Sequence, residues 1–205
     1  MLSFYIHTHW GYNNPYAARS WTLENWWDYL SGLSGLGFDT VMIWPLLDSM
    51  PLDFTASDRA FLERIGRVID LAHNQFGMRT IICGNSNTMG NQEAEKYRFE
   101  TRPYFKCETK VNPGDAGQMQ ALLAHWRRAF EYLQHTDMVS IIDSDPGGYI
   151  GSTNAEFVEL LRMKITALRE LNPDVELYYW MHMGWENYNR FWEEAQSWPD
   201  PASHP

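Results

Sequence analysis

The sequence predicts an α/β fold, a parallel sheet with helical crossovers closed as a (β/α) barrel of which about five βα units are present. Three observations carry that prediction. Strand-like and helix-like patterns alternate along the whole chain, in the order βαβαβαβαβ with a short helix after them. The second to fourth strands are nearly continuous apolar runs, as parallel strands covered on both faces have to be. Polar or aromatic residues end strand after strand: His9, Trp44, Asn85, Asp143, Asp145, Trp180 and His182. Site residues spread over many strand ends are the habit of barrels of the TIM type. An open doubly wound sheet is the alternative, but His7-Thr8-His9-Trp10-Gly11-Tyr12 follows the first strand where such a sheet carries its Gly-rich phosphate loop.

Each element has its own signal. Ser3 to His9 reads as the first strand. Thr22 is a good N-cap for a helix whose Leu23, Trp26, Trp27, Leu30 and Leu33 keep helical spacing, and Gly35 and Gly37 end it. Thr40 to Trp44 is the second strand, stopped by Pro45. A second helix is expected from Ser57 or Asp58, with Phe61, Leu62, Ile65, Val68, Ile69 and Ala72 inward and Gly77 closing it. Arg79 to Cys83 is the third strand. The long polar stretch from Asn85 to Gly114 is expected to be functional or to hold a small substructure. The third helix runs from Asp115, with Gln118 as capping-box partner and Met119, Leu122, Leu123, Trp126, Phe130 and Leu133 on its apolar face. Met138 to Ile142 is the fourth strand. Thr153-Asn154-Ala155-Glu156 is a capping box for the fourth helix, which turns Phe157, Leu160, Leu161, Ile165 and Leu168 inward. Asn172-Pro173 ends it, Val175 to His182 is the fifth strand, and Asn187 to Ala195 a short fifth helix. A whole barrel needs about 250 residues. The 205 residues here are therefore expected to be one catalytic barrel domain in its N-terminal portion, with strands six to eight missing.

Composition narrows the function. Charged residues make up 20% and hydrophobic ones 44%, a globular balance. The net charge of −10, with no basic cluster beyond Arg127-Arg128, argues against nucleic acid or an anionic membrane as partner and favours a neutral substrate. Aromatics reach 15%, including ten Trp, and indole rings stack on the apolar faces of sugars. Cys83 reads as a small buried residue and Cys107 as a loop residue; no CxxC or Cys/His spacing calls for zinc, and no metal or other cofactor is expected. The first residues are already strand-like, without a signal-peptide pattern, and no apolar run nears ~18 residues, so the chain as given is expected to be soluble, its compartment and oligomeric state open.

The densest chemical signal is Ile141-Ile142-Asp143-Ser144-Asp145-Pro146-Gly147-Gly148. A buried strand runs into two carboxylates spaced to share one face, then into a turn. Paired acids repel and their pKa values separate, which is what acid–base hydrolysis uses. The structural reading is a turn cap at Asp145 and a solvated or salt-bridged strand end at Asp143.

Further residues carry a family likeness. Trp26-Trp27-Asp28-Tyr29-Leu30 followed by Leu36-Gly37-Phe38-Asp39-Thr40-Val41-Met42-Ile43-Trp44-Pro45 resembles the first helix and second strand of many barrel glycoside hydrolases. Val111-Asn112-Pro113, the third helix and the Asp143–Gly148 strand end are similar to a glycosidase barrel of β-hexosaminidase or α-glucuronidase type. In element order the likeness covers most of residues 1–190; in sequence, the second and fourth strand segments carry it. Hexosaminidase-like barrels end the fourth strand in an Asp-Glu pair, and here no Glu follows either Asp.

The resemblance implies a glycosidase acting on a carbohydrate through two carboxyl groups. Asp145 is then the candidate general acid, Asp143 its ionised companion, and Glu186 a candidate second catalytic carboxylate. Trp44 and Trp180 are candidates for a sugar platform, with His9, Tyr12, Asn85 and His182 at its hydroxyls. Arg19, Arg98 and Arg102 lie on loops expected over the same face, where an arginine holds a uronate bidentately. Two other classes compete. His7 and His9 at alternate strand positions, with His182, fit a metal-dependent amidohydrolase-like barrel. A non-catalytic carbohydrate-binding barrel fits the same Trp-rich loops.

Overall fold

Alternating apolar strands and capped helices give a parallel sheet backed by helices. A computed structural model describes residues 2–8, 17–103, 106–142 and 152–180 of the chain. Its elements in chain order are β1 (Ser3–His7), α1 (Leu23–Gly35), β2 (Thr40–Trp44), α2 (Ala56–Phe76), β3 (Arg79–Asn85), β4 (Thr88–Gly90), β5 (Glu108–Lys110), α3 (Ala116–Leu133), β6 (Met138–Ile142), α4 (Asn154–Arg169) and β7 (Glu176–Trp180). Five strands form one sheet in the order β1-β2-β3-β6-β7, every neighbouring pair parallel.

Side chains alternate between the two faces of that sheet. Val41, Ile43, Ile82, Val139 and Ile141 face the helices and join Trp26, Phe61, Ile65, Trp126, Phe130, Leu160 and Leu168 in the main core. Met42, Ile81, Cys83, Met138 and Ile142 face the other way and form a second, smaller cluster that Tyr5 and Trp44 pack against. The sheet is strongly curled. Tyr5 on β1 and Trp180 on β7, at its two ends, bring their ring centroids within 5.8 Å. A flat five-stranded sheet would hold its outer strands about 19 Å apart at the usual ~4.8 Å spacing. The fold is an incomplete (β/α) barrel, with the smaller cluster on its inside.

Caps fix the helix starts. Thr22, Thr55 and Thr153 each accept the N–H of the residue three positions on, and Asn25, Asp58 and Glu156 reach back to close a capping box. The expected start of α2 at Ser57 or Asp58 is therefore corrected: Thr55 is the cap, and Asp58 is the third helical residue. Asp115 caps α3 as expected, but Gln118 Oε1 accepts from the Asn112 N–H at 2.9 Å rather than from the cap, so the loop before the helix takes the bond. β1 covers Ser3–His7, the Thr8 N–H and hydroxyl both donate to the Trp44 carbonyl oxygen, and His9, the expected strand end, lies outside the described residues. β3 runs on to Asn85, two residues past the expected Cys83. Residues 181 and 182 of the expected fifth strand, and the helix expected at Asn187 to Ala195, lie outside the described residues.

The polar stretch from Asn85 to Gly114 holds a substructure: the antiparallel β4–β5 hairpin and two 3₁₀ turns, Gln92–Lys96 and Phe99–Thr101. Its anchor is Arg102, read from sequence as a loop arginine. It is buried, its Nη1 is 2.7 Å from Asp58 Oδ1, and it donates to the carbonyls of Ser49, Ala94 and Tyr97. Arg19 is buried beside it and donates to the Arg102 carbonyl at 3.2 Å. The Arg102 guanidinium is spent on holding loops together, and Arg98 is exposed beside Glu100. Cys107 is also buried, not at a loop surface, and both cysteines are free thiols.

Candidate functional site at the carboxyl rim of the sheet

The parallel register lines up the carboxyl ends of the strands. His7 pairs with Trp44, Asn85 with Ile142, and Ile142 with Trp180. By alternation Tyr5, Trp44, Asn85 and Trp180 belong to the inner face, and the rings confirm it for the aromatics. Tyr5 lies 6.4 Å from Trp44 and 5.8 Å from Trp180, edge-on to the latter, so the three rings form one aromatic arc. Trp180 is 39% exposed, leaving part of its ring available at the rim.

A carboxylate sits at the centre of this rim. After β2, Pro45 stops the strand and Leu46 takes a left-handed conformation, φ 59°. For a buried non-glycine residue that conformation costs about 1–2 kcal/mol. It turns the chain into the 3₁₀ turn Leu47–Ser49, which lays Asp48 over the end of β3. Asp48 is 2% exposed, accepts from Asn85 Nδ2 at 2.7 Å and from Trp44 Nε1 at 3.4 Å. The bond from Asn85 sets the amide orientation, with Nδ2 toward Asp48.

Asp48 is felt across the rim. Burial pushes the Tyr5 hydroxyl far above its ordinary range, and the nearby Cys83 and Asp48 add to that. Burial also pushes the Cys83 thiol up to about 12, with Asp48 contributing, so it is no thiolate nucleophile. On the helix side of the same strand end, burial drives Lys164 well below its ordinary value, opposed by Asp48.

Of the catalytic and substrate-binding candidates read from sequence, Trp44, Asn85 and Trp180 are described, and they lie on one rim. Asp143, Asp145, Glu186, His9, Tyr12 and His182 lie outside the described residues. Among the described residues no three His, Cys, Asp or Glu side chains cluster as metal ligands, and no helix is long and apolar enough to cross a membrane. The sequence reading passed over Tyr5, Asp48 and Lys164. Two of them had a signal: Asp48 follows the apolar pair Leu46-Leu47 just past the second strand, and Lys164 occupies an inward position of the α4 stripe between Leu160, Leu161 and Leu168. A charge on an apolar face needs a partner, and each of these has one.

A curled parallel sheet with outer helices and a carboxyl-end rim of aromatic and polar residues is the architecture of a TIM-type barrel. Solved structures that superpose on this chain include glycoside hydrolases. A GH5_18 protein from Streptomyces cattleya, in complex with GlcNAc, superposes with a TM-score of 0.62 at 14% identity over 89% of this chain and 45% of its own. The exo-β-1,4-mannosidase Op5Man5 from Opitutaceae bacterium strain TAV5 gives 0.58 at 18% identity, over 86% of this chain and 31% of its own. A GH20 catalytic module of the pneumococcal exo-β-D-N-acetylglucosaminidase StrH gives 0.56 at 12% identity, over 86% and 53%. The chain thus spans about half or less of the length of these structures, and identities this low establish the fold alone. No family model and no curated protein matches the chain.

Proposed function

We propose that residues 1–205 are the N-terminal portion of one catalytic barrel that cleaves glycosidic bonds by carboxylate acid–base catalysis. The observation that carries this reading is the convergence of Tyr5, Trp44, Asn85 and Trp180, around buried Asp48, on the carboxyl rim of a parallel sheet. Flat indole rings suit the C–H faces of a pyranose, and an oriented amide suits its hydroxyls. His9, Tyr12 and His182 complete the sugar contacts in this proposal.

Asp145 acts as general acid on the leaving oxygen. Asp143, its ionised companion, raises the Asp145 pKa or orients substrate. Glu186 is the second catalytic carboxylate, serving as nucleophile or activating water. Written this way the reaction needs no metal or cofactor. Of the arginines that could grip a uronate, Arg102 is committed to loop carbonyls and Asp58, which leaves the two glycosidase types to be separated by substrate. The likeness in fold to GlcNAc-handling barrels makes N-acetylglucosaminides the first substrates to try.

Aryl glycosides, aryl β-N-acetylglucosaminide first, are the test substrates for wild type and Asp145→Asn. Loss of the general acid should lower kcat/KM by at least about a hundredfold. Equal turnover by both proteins, or sugar binding with no turnover by either, would end the catalytic reading; the second outcome would leave a carbohydrate-binding barrel.

A further inference from the structure

One ionisable side chain of α4, Lys164, points into the molecule. Lys164 is wholly buried, its Nζ 2.8 Å from the Asn85 carbonyl oxygen and 3.9 Å from the centroid of the Trp126 ring. Burying an ammonium is costly, and an apolar side chain of similar volume is often neutral or better for stability. Stability therefore gives no reason for a lysine here. The residue it grips gives one. The Asn85 side chain, on the inner side of the sheet, donates to Asp48 at 2.7 Å, and Asp48 also accepts from Trp44 Nε1. Asn85 is thus held from both sides of the sheet, by its carbonyl from the helix layer and by its amide from the rim. Trp126 can back the lysine because position 84 is glycine: a Cβ there would stand 2.9 Å from the ring.

We propose that Lys164 is a positioning residue of the rim. By holding the Asn85 carbonyl it fixes the end of β3, and through it the Asn85–Asp48–Trp44 chain that faces the sugar. The use made of this arrangement rests on the sugar-site reading; the arrangement itself is tested without any ligand.

The test follows the Trp44 Nε1–H and Asn85 Nδ2–H resonances of the ¹⁵N-labelled full chain in wild type, Lys164→Met and Lys164→Gln. Lys164→Met should melt at or above the wild-type temperature, with both resonances displaced and those of α1 unchanged. Lys164→Gln keeps a donor for the carbonyl and should return both toward wild type. N-acetylglucosamine affinity should fall about tenfold in Lys164→Met, the effect of losing one oriented hydrogen bond. Unmoved resonances in Lys164→Met overturn the proposal. So does loss of folding in both variants, which would make Lys164 a folding residue, and so does an unchanged affinity in Lys164→Met when wild type binds the sugar. If wild type binds no sugar, the sugar-site reading fails and the resonances alone decide the role of Lys164.

Discussion

His125 ties the stability of the fold to acid pH. Its ring is buried, donates Nε2–H to the Met50 carbonyl at 3.0 Å and stands edge-on to Phe54. Burial holds its pKa at about 4, against an ordinary 6.5, so the folded protein keeps it neutral where the unfolded chain protonates it. The unfolded state therefore binds the extra proton, and stability falls as pH drops from 6.5 toward 4. The loss should reach about 3 kcal/mol at the lower end. Urea melts at a series of pH values should show it, and His125→Asn should flatten that part of the profile while lowering stability at pH 7. Asp137 acts in the same direction lower down: the Thr80 N–H and His73 hold its carboxyl below the usual range, so its contribution is lost as acid protonates it. The Asp58–Arg102 pair is the other costly residue-scale feature. Asp58→Ala leaves a buried guanidinium without its carboxylate and should cost about 3–5 kcal/mol by denaturant titration. None of this was legible in sequence, where Arg102 looks like any loop arginine; its role comes from contacts with positions more than forty residues away.

At the scale of elements, the strand and helix pattern was legible because each signal is local. Thr22 and Thr153 cap, Gly77 terminates, and the second and fourth strands begin and end where their apolar runs do. The β4–β5 hairpin escaped because its strands have three residues each and its support is tertiary. Gly90 shows that support. A Cβ there would lie 2.0 Å from the Met50 backbone oxygen, so the hairpin packs flush against the turn that carries Asp48. Gly90→Ala should destabilise by about 1–3 kcal/mol, since backbone must move to admit the methyl. Gly32, exposed in the last turn of α1, meets nothing within 4 Å at its Cβ position. Gly32→Ala should stabilise by about 0.5–1 kcal/mol through helix propensity alone. Thermal melts of the two variants should move in opposite directions; a neutral Gly90→Ala would show that the hairpin does not bear on that turn.

For the whole molecule, alternation and register together make the rim. The sequence named Trp44, Asn85 and Trp180 because each ends a strand, and the curl of the sheet puts them together. It missed Tyr5, two residues from the end of β1, since only the pairing of β1 with β2 and the approach of β7 make that ring part of the arc. If the arc is the sugar platform, Trp180→Ala, with its ring partly in solvent, should weaken N-acetylglucosamine binding about tenfold with little change in Tm. Trp44→Ala should weaken it similarly and also lower Tm, because that ring packs on the inner cluster. Tryptophan fluorescence titration reads both; full affinity in Trp180→Ala would remove that ring from the platform. The meeting of Tyr5 with Trp180 also orders events during synthesis. The two residues are 175 positions apart (5 to 180), so a ribosome adding about 5–20 residues per second makes the first ring roughly ten to thirty-five seconds before its partner. Through that interval the nascent half-barrel shows the concave side of its early strands, with Met42, Ile81 and Cys83, to whatever chaperone waits at the exit tunnel.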